Sequence, residues 1–257
     1  MHEAALSRAA TLFQNMLALQ EPDHSLLPES LQRIADKVEA KLSPRHGVGV
    51  FASRKLKAET LASLYPVHSM GIGDFGMSTD EDMDYFQALH KNRQPSPYRL
   101  SLLHPSIQEW APGLWVDANP HCPIVPGWTG HLANDAAVCG GSSGADALKY
   151  QACCELECNS VLIPFGDAVP VMALCPVRDI EPGEELLVSY GHTFWMQQLG
   201  QKVEADNDDD AESWARVHEA NGRQGRLMAR IFDRVAAAHE VTLREIKRVL
   251  EETGETD

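Results

Sequence analysis

The 257-residue chain is poor in basic side chains: 22 Lys and Arg stand against 37 Asp and Glu, a formal net charge of −15. That makes the chain a poor candidate for gripping DNA or RNA phosphates, which need clustered Lys and Arg. It suits solubility or, through complementary fields, a basic partner. No apolar run reaches the roughly 20 residues that a bilayer span needs, so no membrane role is expected. The first residues, Met1-His2-Glu3-Ala4, lack the basic start and apolar stretch of a secretory signal. The six cysteines are therefore expected as reduced thiols in the cytosol or nucleus. Cys139, Cys153, Cys154 and Cys158 lie near one another without any C-x2-C spacing. Buried thiols are expected there, and no metal site.

The composition includes 44% hydrophobic residues, enough for a real core and against wholesale disorder. Residues 3–20 carry Ala, Leu, Phe and Met at helical spacing, and residues 28–41 read as a second helix through Leu31, Ile34, Ala35 and Val38. From residue 45 the segments become short, apolar and punctuated by Gly and Pro, the pattern of short strands and turns. Strands are expected at 48–52, 60–65 and 115–118, with an antiparallel pair at 159–163 and 169–175. Residues 71–97, rich in Gly, Asp and Pro, read as an insertion with a short helix near 82–89. Residues 139–144 (Cys-Gly-Gly-Ser-Ser-Gly) read as a flexible loop. After Trp195 an acidic linker at 206–210 leads to a helix over 212–238, weakened at Gly222 and Gly225, and a last helix capped by Thr242 with Glu245.

Three fragments carry chemistry. His46-Gly47-Val48-Gly49-Val50-Phe51-Ala52 brings two glycines that let backbone approach a ligand. Asp117-Ala118 precedes, after a spacer, Gly127-Trp128-Thr129-Gly130-His131-Leu132-Ala133-Asn134-Asp135-Ala136. The third runs from Ala173 to Gly191, an apolar strand, Arg178-Asp179-Ile180, Pro182-Gly183-Glu184-Glu185-Leu186, and Ser189-Tyr190-Gly191, followed by Phe194-Trp195.

In order and spacing these fragments resemble the SET-domain protein methyltransferases over residues 44–196. The resemblance implies an α+β fold, mainly β with flanking helices: small curved sheets of the β-clip kind, threaded like a pseudoknot. It divides the chain into an N-terminal helical segment (1–43), the SET domain (44–196) and an acidic linker with C-terminal helices (197–257). It implies a protein-lysine methyltransferase that uses S-adenosyl-L-methionine and acts on a protein substrate with a basic segment. By position Gly47, Val48, Gly49, Asn134, Asp135 and Tyr190 would bind the cofactor, and Tyr190 would be the catalytic residue. Phe194 and Trp195 would wall the lysine channel, with Tyr98 and Tyr150 as further candidates. Cys158-Asn159 stands where the family has Pro-Asn after its Asn motif. The chain departs from the family at Asp135, which replaces a His, at Ala136, which replaces a Ser, and at Ser189, which replaces an Asp. The first two departures favour an alternative, a catalytically weak SET-like protein-interaction module; the intact Tyr190 favours the enzyme.

Overall fold

The computed structural model describes residues 2–20, 33–91, 96–102, 105–165, 171–198, 211–244 and 248. The architecture is α+β, with helices towards both ends and small sheets between. Helix α1 (His2–Leu19) buries Ala9, Phe13, Met16 and Leu19 along one stripe. Gln20 then ends it: its Nε2 donates to the Val67 carbonyl at 3.0 Å, and its Oε1 accepts from the Val67 N–H at 2.7 Å.

Strand β1 (Val38–Leu42) pairs antiparallel with β2 (Val48–Ala52), Val38 opposite Ala52 and Leu42 opposite Val48. The helix read over 28–41 is therefore corrected in its last part; residues 33–37 form turns and 38–41 are strand, while 28–32 lie outside the described residues. Pairing across the turn overrides the helical spacing, because five strand positions gain partners in β2.

The largest sheet has the order β5-β4-β7-β6, built from β4 (Ser69–Ile72), β5 (Phe75–Ser78), β6 (Leu100–Ser101) and β7 (Leu114–Asp117), all antiparallel. Strand β5 and the second half of β4 lie in the segment read as an insertion, which also holds α2 (Asp80–Lys91). A short α3 (Pro105–Trp110) precedes β7. A second sheet sets β3 (Ser63–Leu64) and β9 (Ser160–Pro164) on either side of β10 (Met172–Pro176). The expected antiparallel pair is thus present, in the register Ala173 opposite Ile163. The stretch read as a Gly-Ser loop ends in an unexpected helix, α4 (Gly144–Glu157), whose N-cap Ser143 accepts from the Asp146 N–H at 3.1 Å.

Near the C-terminus, α5 (His192–Gln198) is followed by α6 (Ala211–Ala238), continuous through Gly222 and Gly225. It buries Val217, Ala220, Ile231 and Val235, and packs on α4 and β9. Its Arg230 and Arg234 both pair with Glu59, a residue at φ +59°. Residues 240–244 are helical, with Thr242 buried inside the turn instead of capping it. Glu245 and the acidic linker at 206–210 lie outside the described residues. Among the described residues no helix is long and apolar enough to cross a membrane.

Two apolar clusters position the site. The larger joins α1, the four-stranded sheet, β9, β10 and α6. The smaller gathers Val50, Ala52, Ala133, Leu174, Leu186 and Val188, with Tyr190 packed against it.

Candidate active site

The three fragments meet in space. The Pro-Gly-Glu-Glu-Leu run lies antiparallel to β2: Ala52 N–H donates to the Glu184 carbonyl at 2.9 Å and Leu186 N–H to the Val50 carbonyl at 2.8 Å. The chain then enters β11 (Leu187–Val188), which pairs in parallel with β8 (Asn134–Asp135). Parallel neighbours need a long crossover. Here the partners lie 53 positions apart, since Leu187 stands opposite Asn134 and Val188 opposite Asp135. Asn159 holds this crossing. Its Nδ2 donates to the Glu185 carbonyl at 2.7 Å, and its Oδ1 accepts from the Leu187 N–H at 2.8 Å. Buried polar atoms are satisfied in both directions there, which fixes the strand end.

One side of the crossing faces the Gly47-Val48-Gly49 turn. Gly47 (φ +50°) and Val48 are exposed at its tip. Gly49 is buried, and a Cβ there would stand 2.2 Å from Glu185 Oε1 and 2.9 Å from Asn134 Nδ2. Gly49 is therefore required by the close approach of two polar side chains. Asn134 Nδ2 donates to the His46 carbonyl and to Glu185 Oε1, both at 2.9 Å. Glu185 Oε2 accepts from Ser43 Oγ at 2.9 Å. Glu185 is 9% exposed and has no basic partner among the described residues. A buried carboxylate without a cation is costly unless a cationic group completes it.

The other side holds Tyr190. Its hydroxyl donates to the Ala133 carbonyl at 2.8 Å. Its backbone is clamped as well: Tyr190 N–H donates to Asp135 Oδ2 at 3.2 Å, and Gly191 N–H to Tyr150 Oη at 2.9 Å. Burial, together with the Asp135 charge, holds the Tyr190 phenol well above its usual range, so it stays protonated at neutral pH.

Asp135 is fully engaged inside the protein. Oδ2 also accepts from Tyr150 Oη at 2.7 Å and from Trp195 Nε1 at 2.8 Å, and Oδ1 accepts from the Ala137 N–H at 3.2 Å. Burial raises its carboxyl against these four donors. The carboxylate beside the Gly-x-Gly turn is Glu185, not Asp135.

Next to Tyr190 opens a cavity of about 530 Å³. Tyr65, Tyr98, His131, Ala133, Tyr190 and Phe194 are among the residues that line it. Tyr190 and Phe194 meet edge-to-face at 4.8 Å between ring centroids. Tyr65 and Tyr98 each stand 6.1 Å from His131. Of the aromatic candidates, Tyr98 and Phe194 reach this cavity. Trp195 and Tyr150 do not line it; they turn to Asp135. Burial, helped by the charge of His68, pushes the His131 imidazole down to about 3, so the ring is neutral at physiological pH. His131 and Glu185 went unassigned in the sequence; the one local hint was the doubled Glu184-Glu185 before Tyr190.

Among the described residues no cluster of His, Cys, Asp and Glu could hold a metal ion. No protein-family model matches the chain. No curated protein matches it either. Among solved structures, a Plasmodium falciparum protein provisionally named a histone methyltransferase is similar at 17% identity and a TM-score of 0.35, over 62% of this chain and 97% of that one.

Proposed function

We propose that the chain is a protein-lysine N-methyltransferase using S-adenosyl-L-methionine. The observation that carries this reading is the convergence of Gly49, Asn134 and Tyr190 at one chain crossing beside an aromatic cavity. A cofactor with a cationic ammonium fits the residues present, because Glu185 is buried with no cationic partner among the described residues. Asn134 and Glu185 would hold that end, with the Gly47-Val48 backbone beside them. When bound, the cofactor supplies a methyl group on a positively charged sulfur.

The protein's own groups would prepare the acceptor. A free lysine amine has a pKa of about 10.4 and is protonated at neutral pH, so it must lose its proton to act as nucleophile. Among the described residues no Asp or Glu lines the cavity. The aromatic wall and the absence of an anion there both favour the neutral amine. Tyr190 stays a phenol, anchored on Ala133, and its oxygen would orient the amine by hydrogen bonding. Holding two reactants in line supplies most of the acceleration that such a site can give.

The test is transfer of a labelled methyl group to lysine peptides. We expect the wild type to label lysine and Tyr190→Phe to lose at least about 100-fold in rate, the lower range of a positioned proton-handling group, while keeping the fold. Full activity in Tyr190→Phe would remove Tyr190 from the chemistry. Specific peptide binding without transfer would favour the interaction module.

A further inference from the structure

We propose that the aromatic cavity accepts a lysine flanked in its substrate by an acidic residue, and that Arg99 reads that carboxylate. The inference rests on the lysine-transfer reading and deepens it.

Arg99 is the one side chain with a full charge in the cavity lining among the described residues. His131, in the same lining, is neutral. The guanidinium is held from two sides. It lies over the Trp115 ring at 3.9 Å, and its Nε donates to Asp117 Oδ2 at 3.3 Å. Asp117 is 0% exposed and also accepts from Ser96 Oγ at 2.6 Å, whereas the Arg99 side chain is 45% exposed. The ion pair thus has its negative end buried and its positive end towards the cavity and solvent. Nε is already used, and the two terminal nitrogens have no partner among the described residues. They form a planar fork of the kind that recognises carboxylates in two-pronged fashion. Stacking on Trp115 fixes that fork beforehand, so less side-chain freedom is lost on binding.

A basic neighbour of the target lysine meets this fork, whose Asp117 partner is buried and outside the lining, with no carboxylate lining the cavity among the described residues; an acidic neighbour meets its complement. The net charge of −15 points the other way, towards basic partners. That field, however, is screened over about 8–10 Å in physiological salt, whereas a contact at the cavity wall is not. The overall charge governs encounter, and Arg99 governs which lysine is accepted.

The test uses C-terminally amidated peptides with one central lysine. A single Glu is walked from three residues before it to three after, against Gln and Lys at the same places. Methyl transfer is read with labelled cofactor. Binding is read by fluorescence anisotropy on protein loaded with S-adenosylhomocysteine. At one or two positions Glu should improve kcat/KM and affinity about five- to tenfold over Gln, as a partly shielded charge pair allows, and Lys should weaken both. Arg99→Lys should weaken the preference, since it keeps the charge but loses the stacked fork; Arg99→Gln should abolish it while binding cofactor as the wild type does. A free C-terminal carboxylate in place of the Glu separates a side-chain reader from a chain-end reader. Equal handling of Glu and Gln everywhere, or an undiminished preference in Arg99→Gln, overturns the role of Arg99 and leaves lysine transfer standing. Loss of both cofactor binding and transfer in the wild type overturns the two readings together.

Discussion

Asp135→Asn tests the lock that holds Tyr190. Three donors converge on Asp135 Oδ2, from Tyr150, Trp195 and the Tyr190 backbone, and two on Oδ1, from the Ala137 N–H and, more weakly at 3.7 Å, the Cys154 thiol. An asparagine has one oxygen to offer. Placed where three donors meet, it leaves its NH2 against the Ala137 N–H, donor to donor. Bonds to a charged acceptor contribute about 1.5–3 kcal/mol and neutral ones about 0.5–1.5, so each of the three retained bonds loses roughly 1 kcal/mol. The unmade Ala137 bond adds about 1 kcal/mol more. The amide escapes the cost of burying a charge, seen in the raised Asp135 carboxyl, and this offsets part of the loss. The net expectation is a destabilisation of about 2–3 kcal/mol. That is roughly 5–10 °C in Tm for a domain of this size. Urea unfolding followed by tryptophan fluorescence should show a lower midpoint at unchanged slope. A midpoint equal to or above that of the wild type would refute the reasoning, since it would mean that Asp135 is not what holds the Tyr190 backbone.

Two further predictions concern the turn and the cavity. Gly49→Ala places a methyl 2.2 Å from Glu185 Oε1, so it should displace Glu185 and weaken S-adenosylmethionine binding at least tenfold (about 1.4 kcal/mol). Gly47→Ala has open space but a φ of +50°, so it should cost only about 1 kcal/mol of stability. Similar binding losses in both, by calorimetry, would contradict the assignment of Gly49 to close approach. For His131, the folded ring titrates near 3 against about 6.5 unfolded. Between those values the unfolded chain binds the extra proton, so stability is complete above about pH 6.5 and falls as the pH drops. At pH 5 the loss from this residue is about 2 kcal/mol. His68, His192 and His239, also lowered mainly by burial, add to the same slope. Urea titrations at pH 7 and pH 5 should show a smaller pH effect in His131→Gln; an unchanged slope would show that the ring is not held neutral.

Much of the fold was readable wherever local and long-range preferences agree. Strand 48–52, the 160–164 and 172–176 pair, and the helix from 211 all follow their patterns. Residues 38–41 do not, because helical spacing there lost to pairing with β2 across a turn. Of the four-stranded sheet only β7 was expected, because β6 is only two residues long and β4 and β5 lie in or beside Gly- and Asp-rich sequence. Helix α4 was hidden behind the Gly-Ser run, although Ser143 with Asp146 was a readable cap. In the site, the resemblance assigned Asn134 and the Gly-x-Gly turn to one cofactor and brought the Asn and Tyr motifs together. The partners of Asp135 were not expected, since Tyr150 and Trp195 reach it across 15 and 60 residues of chain. Nor was Glu185, whose setting depends on Ser43, 142 residues away.

The central claim is tested most directly by calorimetric titration of the purified protein with S-adenosylmethionine, beside Asn134→Ala and Glu185→Gln. The account predicts saturable one-to-one binding to the wild type, weakened at least tenfold (about 1.4 kcal/mol) in each variant. No binding to the wild type, or equal affinity in all three proteins, would contradict it.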